Sequence, residues 1–126
     1  MDAAQALADL TEISAQIEAA VIVGEDGAPL GSTLADEERA GALARAAVDL
    51  LQEAGDTVTH VGAATRDGSV FAVREGARIV AAVTPVTAPP GLVLYDLRTC
   101  LRRLAEADPA KPKPRRRRKK ADDEEA

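Results

Sequence analysis

The chain predicts an α+β fold, a largely antiparallel five-stranded sheet flanked by helices in the order α-β-β-α-β-β-β-α. Three observations carry that reading. Three stretches, near residues 3–14, 36–54 and 91–107, repeat apolar side chains at helical spacing. Five short runs rich in β-branched residues lie between them. The links between neighbouring runs, Glu25-Asp26-Gly27, Arg66-Asp67-Gly68 and Glu75-Gly76, are too short for a crossover, so consecutive strands must run antiparallel.

In chain order, Ala3, Leu7, Leu10 and Ser14 form one stripe flanked by Ile13 and Ile17, while Asp9 and Glu12 point elsewhere, which predicts an amphipathic first helix. From Ile17 the pattern changes to a strand, IEAAVIVG, that stops at the Asp26-Gly27 turn and returns through Ala28 to Leu34. Thr33 and Asp36 stand at capping-box spacing, and Asp36, Glu37 and Glu38 suit the positive end of a helix dipole, so the second helix is expected from there to about Ala54. Gly55-Asp56 ends it. Strands are then expected over Thr57–Thr65, Ser69–Glu75 and Ala77–Thr84, after which PVTAPPG removes the amide donors a ladder needs. The third helix is expected from near Gly91 to Ala107, with Val93, Leu97, Cys100, Leu101 and Leu104 on one face and Arg98, Arg102, Arg103 and Glu106 on the other.

Composition divides the chain near Asp108. Residues 1–107 hold 16 acids and 8 arginines, net −8, whereas residues 108–126 hold 8 bases and 5 acids, net +3. The first part is expected to be a single domain with one modest core, and the second a disordered tail, since KPKPRRRRKK followed by ADDEEA offers nothing to pack. Aromatics make up only 2% of the chain, Phe71 and Tyr95, so the core must be built from Ala, Val and Leu. An acidic domain has no cationic surface with which to attract nucleic acid or anionic lipid, which leaves any such contact to the tail. The amino terminus lacks a basic region ahead of an apolar stretch, no apolar run approaches the roughly 20 residues of a membrane helix, and a lone Cys100 rules out an internal disulfide. A cytoplasmic location is the expectation.

The second helix says most about function. At 100° per residue Glu38, Arg45, Asp49, Gln52 and Glu53 fill about 100° of arc, and the apolar remainder is roughly twice as wide. Ala40, Ala44, Val48 and Leu51 occupy one side of it; Leu43, Ala46, Ala47, Leu50 and Ala54 occupy the other. One side suffices to cover a sheet. The other needs a partner, and its alanines permit close helix approach, so self-association is expected.

Catalytic chemistry finds no parts. There is no GxSxG nucleophile turn, and His60, the single imidazole, alternates with Val58 and Gly62 in a strand, which favours a structural or interface role. Cys100 falls on an apolar stripe and reads as a buried inert thiol. GEDGAPLG lacks the GxGxxG spacing, and no GxxxxGK followed by Ser or Thr is present, so no phosphate cradle or cofactor site is encoded. Asp36, Glu37 and Glu38 are consecutive on a helix, point 100° apart and cannot converge on one metal ion. No small-molecule substrate is expected.

The succession LADLTEISAQIEAAVIVGEDGAPLGST, the alanine-rich helix from Asp36 to Ala54, VTHVGAATRDGSVFAVREGARIVAAVT and LVLYDLRTCLRRLAE resembles the Roadblock (dynein light-chain Roadblock) domain family across residues 3–107. The sandwich is also similar to longin-like and profilin-like domains. The resemblance implies a five-stranded antiparallel sheet with the second helix on one face and the terminal helices on the other. It implies a homodimer in which the third strand pairs with its symmetry mate and the second helices pack together. The interface would then draw on Leu43, Ala46, Ala47, Leu50, Ala54, Val58, Thr59, His60 and Val61. It further implies a non-enzymatic module that regulates or scaffolds a small Ras-like GTPase. The Ala and Arg bias, with no lysine before Lys111, looks like a high-GC bacterium.

The tail departs from the minimal family pattern. Lys111, Lys113, Arg115, Arg116, Arg117, Arg118, Lys119 and Lys120 place eight bases within ten residues. They serve either as a solubilising extension or as a contact for nucleic acid, anionic membrane or an acidic protein, at about 1 kcal/mol per charge near an anionic surface. With two aromatics in the chain, base stacking is not on offer, so any nucleic-acid contact would be sequence-blind and salt-sensitive.

Overall fold

Asp2 opens helix α1 (Ala3–Ile13) as its N-cap, its Oδ1 accepting from the Gln5 amide at 2.9 Å. The computed structural model describes residues 1–107, and the expectations for residues 108–126 lie outside the described residues. Strands β1 (Ala19–Val23) and β2 (Pro29–Ser32) form the first hairpin. Its turn places Gly27 at φ +83°, a conformation that favours glycine, and Asp26 Oδ1 accepts from the Ala28 amide at 3.0 Å. Helix α2 (Glu37–Ala54) follows, capped by Asp36 through the Glu38 amide at 2.9 Å. Thr33 therefore does not cap it. Its Oγ1 instead accepts from the Ala20 amide at 2.9 Å, so the hairpin claims the hydroxyl that the spacing had offered to the helix.

Strands β3 (His60–Thr65), β4 (Gly68–Glu75) and β5 (Arg78–Thr84) form the meander, and helix α3 (Pro90–Ala107) closes the fold with proline in its first turn, where a missing amide hydrogen costs nothing. All four strand pairings are antiparallel, in the order β2-β1-β5-β4-β3. The centre is therefore β5, paired on one side with β1, which is distant in sequence, and β2 and β3 are the edges. Gly68 begins β4 where a Cβ would stand 2.7 Å from the Thr84 carbonyl oxygen, so only glycine fits that approach.

Strand alternation divides the core between the two faces. Ala20, Ile22, Phe71, Val73, Val80 and Ala82 point to one face, under α1 and α3, where Leu7, Leu10, Val93, Leu97 and Leu101 close over them. Val21, Val23, Ala72 and Ala81 point to the other, where α2 supplies Ala44, Ala47 and Leu51. Two helices bury one face and a single helix the other, with α2 set close by its alanines. Leu51 is fully buried there, and truncating it to alanine would cost about 2–5 kcal/mol in lost transfer energy and residual cavity. No described helix is long and apolar enough to cross a membrane.

Candidate interaction surface

The sheet has two ends, and one of them is open. Backbone phase on β3 is set by the Arg74 amide donating to the Thr59 carbonyl at 2.7 Å. In an antiparallel pair hydrogen-bonded and non-hydrogen-bonded positions alternate, so Val61 and Ala63 bond to β4 while the amides and carbonyls of His60, Gly62 and Ala64 point outward from the sheet. No charged or proline residue lies within the six residues of β3. Such an edge is a template for another strand.

Beside that edge runs one shoulder of α2. Glu37, Ala40 and Gly41 line a groove with Pro29, Leu30, Gly31, Ser32 and Leu34, which fixes that flank of the helix over β2. Leu43 is 200° around the helix from Gly41, so the shoulder carrying Leu43, Ala46 and Leu50 lies on the opposite flank, toward β3. Leu43 and Leu50 are half-buried, and Ala46 and Ala54 are exposed. Ala47 was expected on this shoulder but is 0% exposed, packed against the sheet with Ala40, Ala44 and Leu51. It offers nothing to a second copy. The helix axis is rotated so that the buried stripe is centred between Ala40, Ala44, Ala47 and Leu51, and Val48 takes the flank instead.

Of the predicted strand residues, Val61 faces α2 and is half-buried, and His60 faces α3 and is exposed. Val58 and Thr59, expected inside the strand, precede it. The reason is a turn, with the Val58 amide donating to the Gly55 carbonyl at 3.1 Å. Arg74 holds that turn from β4: its Nη2 donates to the carbonyls of Gly55 at 3.3 Å, Asp56 at 3.2 Å and Val58. One guanidinium thus ties the end of α2 to the start of the open edge. The sequence reading missed Arg74. Its signal was a charge at the end of an otherwise apolar alternation, Val70, Ala72, Arg74.

At the same end of the sheet, Arg98 Nη2 donates to His60 Nδ1 at 3.4 Å, and Glu75 draws in Arg98 at 3.8 Å and Arg102 at 3.6 Å. These partly exposed pairs orient α3 against the start of β3 and the β4–β5 turn, and contribute at most about 1 kcal/mol each. Cys100 lies on the opposite side of α3 from these arginines, buried under α1, with its thiol donating to the Ala6 carbonyl at 3.7 Å. Burial, reinforced by Asp9 and opposed by Arg103, pushes the Cys100 thiol up to about 11, so it carries no thiolate near neutral pH. Among the described residues no group of three or more His, Cys, Asp or Glu side chains could hold a metal ion.

An antiparallel sandwich with one unpaired edge strand and an apolar helix shoulder beside it defines a class of small α+β module. The fold is that of Roadblock/LC7 domains. A Roadblock/LC7 domain from Streptomyces avermitilis superposes with a TM-score of 0.74 at 16% identity, covering 82% of this chain and 95% of that one. MglB in a tetrameric arrangement superposes at 0.62 with 16% identity, covering 82% and 85%. A Loki profilin in complex with rabbit actin superposes at 0.56 with 13% identity, covering 82% and 96%. The sequence matches no protein-family model and no curated protein.

Proposed function

We propose that the chain is a non-enzymatic, homodimeric binding module of the cytoplasm that regulates or scaffolds a small Ras-like GTPase. The observation that carries this reading is the coincidence, at one end of the sheet, of the uncharged β3 edge with the apolar shoulder of α2. A second copy related by a two-fold axis near Gly62 would pair β3 with β3, satisfy the outward groups of His60, Gly62 and Ala64, and bring Leu43, Ala46 and Leu50 against their symmetry mates. Val58, Thr59 and Val61 would complete the joint, with Ala54 at its margin. The polar stripe of both second helices would then lie on the outside as a continuous platform. MglB, which shares this fold, is itself found in a tetrameric arrangement. The GTPase assignment follows the Roadblock resemblance, and the platform is where such a partner would sit. Sedimentation of the full chain tests the dimer, and a monomer at tens of micromolar ends the proposal. Capture from native lysate, loaded with GTP analogue or with GDP, tests the partner: recovery of a Ras-like GTPase that depends on the nucleotide is the expected result, and recovery of none removes it.

A second reading rests on the eight bases of Lys111–Lys120, which would make the chain an adaptor for a polyanion. Asp122, Asp123, Glu124 and Glu125 compete for those bases from a few residues away. Removing residues 122–126 should therefore tighten binding to anionic vesicles or nucleic acid, and removing residues 111–120 should abolish it. Equal binding by both truncations and the full chain across a salt series leaves the tail a solubilising extension.

A further inference from the structure

The β2 end of the sheet carries a groove that neither reading uses. It has a volume of about 410 Å³ and lies between β2 and the first turns of α2. Its walls are Pro29, Leu30, Leu34 and Ala40, with Glu37 at the rim and Asp36 and Glu38 exposed beside it. Leu30 is 53% exposed, one of six large apolar side chains left open among the described residues, and it is the one that lines this groove. The exposed Glu25 and Asp26 of the β1–β2 turn add to the negative field, against which Arg45, whose Nη1 would stand 3.6 Å from a Cβ on the groove residue Gly41, sets a positive charge.

We propose that this groove holds the chain's own basic segment, Lys111–Arg118. Where the described chain stops supports that choice. Arg103, one turn before the end of α3, shares a crevice with Met1 at the start of α1. Ala3, in the first turn of α1, lies so close to β2 that a Cβ on Gly31 would be 2.9 Å from its own Cβ. Gly31 is in turn part of the groove. The end of α3, the start of α1 and the groove thus follow one another around the β2 edge. The residues from 108 to 118 can span roughly 36 Å when extended, several times the separation of about 10 Å between packed helices. The segment complements the groove in both respects. Its arginine and lysine stems can lie along Leu30, Leu34 and Pro29 while their charged heads meet Glu37 and its neighbours. The contact uses the edge opposite β3, so it is independent of the dimer and of any GTPase.

The test is paramagnetic relaxation in the full chain, with a spin label at Ala121→Cys in a Cys100→Ala background and wild-type-like circular dichroism as the folding check. At low salt the amide signals of Leu30, Gly31, Ser32 and Gly41 should lose intensity while those of Arg66 and Asp67, at the far edge, keep theirs. Glu37→Lys with Leu30→Lys should restore the lost signals, as should high salt, because the Debye length shrinks to about 3 Å at 1 M. A loss spread evenly over all acidic surfaces, or one unchanged by the double substitution, overturns the proposal. So does a loss that appears only when labelled tail and isotope are on different molecules, since the occupant is then another copy.

Discussion

The two edges of the sheet are built on opposite plans. β2 is four residues long, begins with Pro29, and meets β1 across an irregular register between Ile22 and Val23. Each of those features blunts an edge against further pairing. β3 is six residues long and holds an unbroken register with β4 from His60 to Thr65, and it carries neither proline nor charge. One edge is thus protected against further pairing and the other is left bare, which is the asymmetry the proposed dimer would use. The covering helix repeats the asymmetry, with a polar and grooved flank over β2 and the apolar shoulder of Leu43, Ala46 and Leu50 toward β3.

The largest expected effect comes from blunting β3 in the way β2 is blunted. Ala64→Pro removes an amide hydrogen that points away from β4, so it should leave the intrachain ladder intact while converting the proposed dimer to monomer in sedimentation. Ala63→Pro, one residue earlier, removes a hydrogen bond to β4 and should unfold the chain. If both behave alike, the phase assigned to β3 is wrong.

Arg74→Ala should loosen the turn that delivers the chain into β3. A hydrogen bond from a charged donor is worth about 1.5–3 kcal/mol, and for a domain of this size each kcal/mol lowers Tm by roughly 4–8 °C. Thermal melting and amide exchange at residues 55–60 would register the loss. An unchanged melting temperature would mean that the guanidinium follows the turn without holding it.

Gly62→Ala probes the packing beneath the open edge, since its Cβ would stand 3.0 Å from the Phe71 ring. The ring must shift, so a destabilisation of about 1 kcal/mol is expected in denaturant melts. A stabilised variant would show that the Phe71 ring yields freely. The smallest effect should come from Pro29→Val, which restores an amide to β2 without lengthening it. Its stability should be nearly unchanged, and a weak concentration-dependent association beyond the dimer should appear in light scattering. Strong association would mean that Pro29 alone protects that edge.

Much of the architecture was legible along the chain. Apolar spacing located all three helices, and turn residues separated all five strands, because these signals are local. The legible part of the candidate surface was the excess width of the apolar arc on α2. The side of that arc on which Ala47 would fall was not legible, since 40° of helix rotation separates it from Leu43 and only the packed sheet fixes the rotation.

By itself, then, the sequence determined the order of the elements, the split between an acidic domain and a basic tail, and the absence of a nucleophile elbow or phosphate loop. Each of these depends on neighbours within a few residues. Tertiary structure alone decided that β5 takes the centre beside β1, which leaves β3 and β2 as edges. It also decided that Arg74 reaches back to the carbonyls of Gly55, Asp56 and Val58, and that Thr33 serves the hairpin instead of the helix. Those outcomes join residues 13 to about 60 positions apart. Their partners are chosen by which backbone groups remain unsatisfied once the sheet has closed, a condition that no local pattern records.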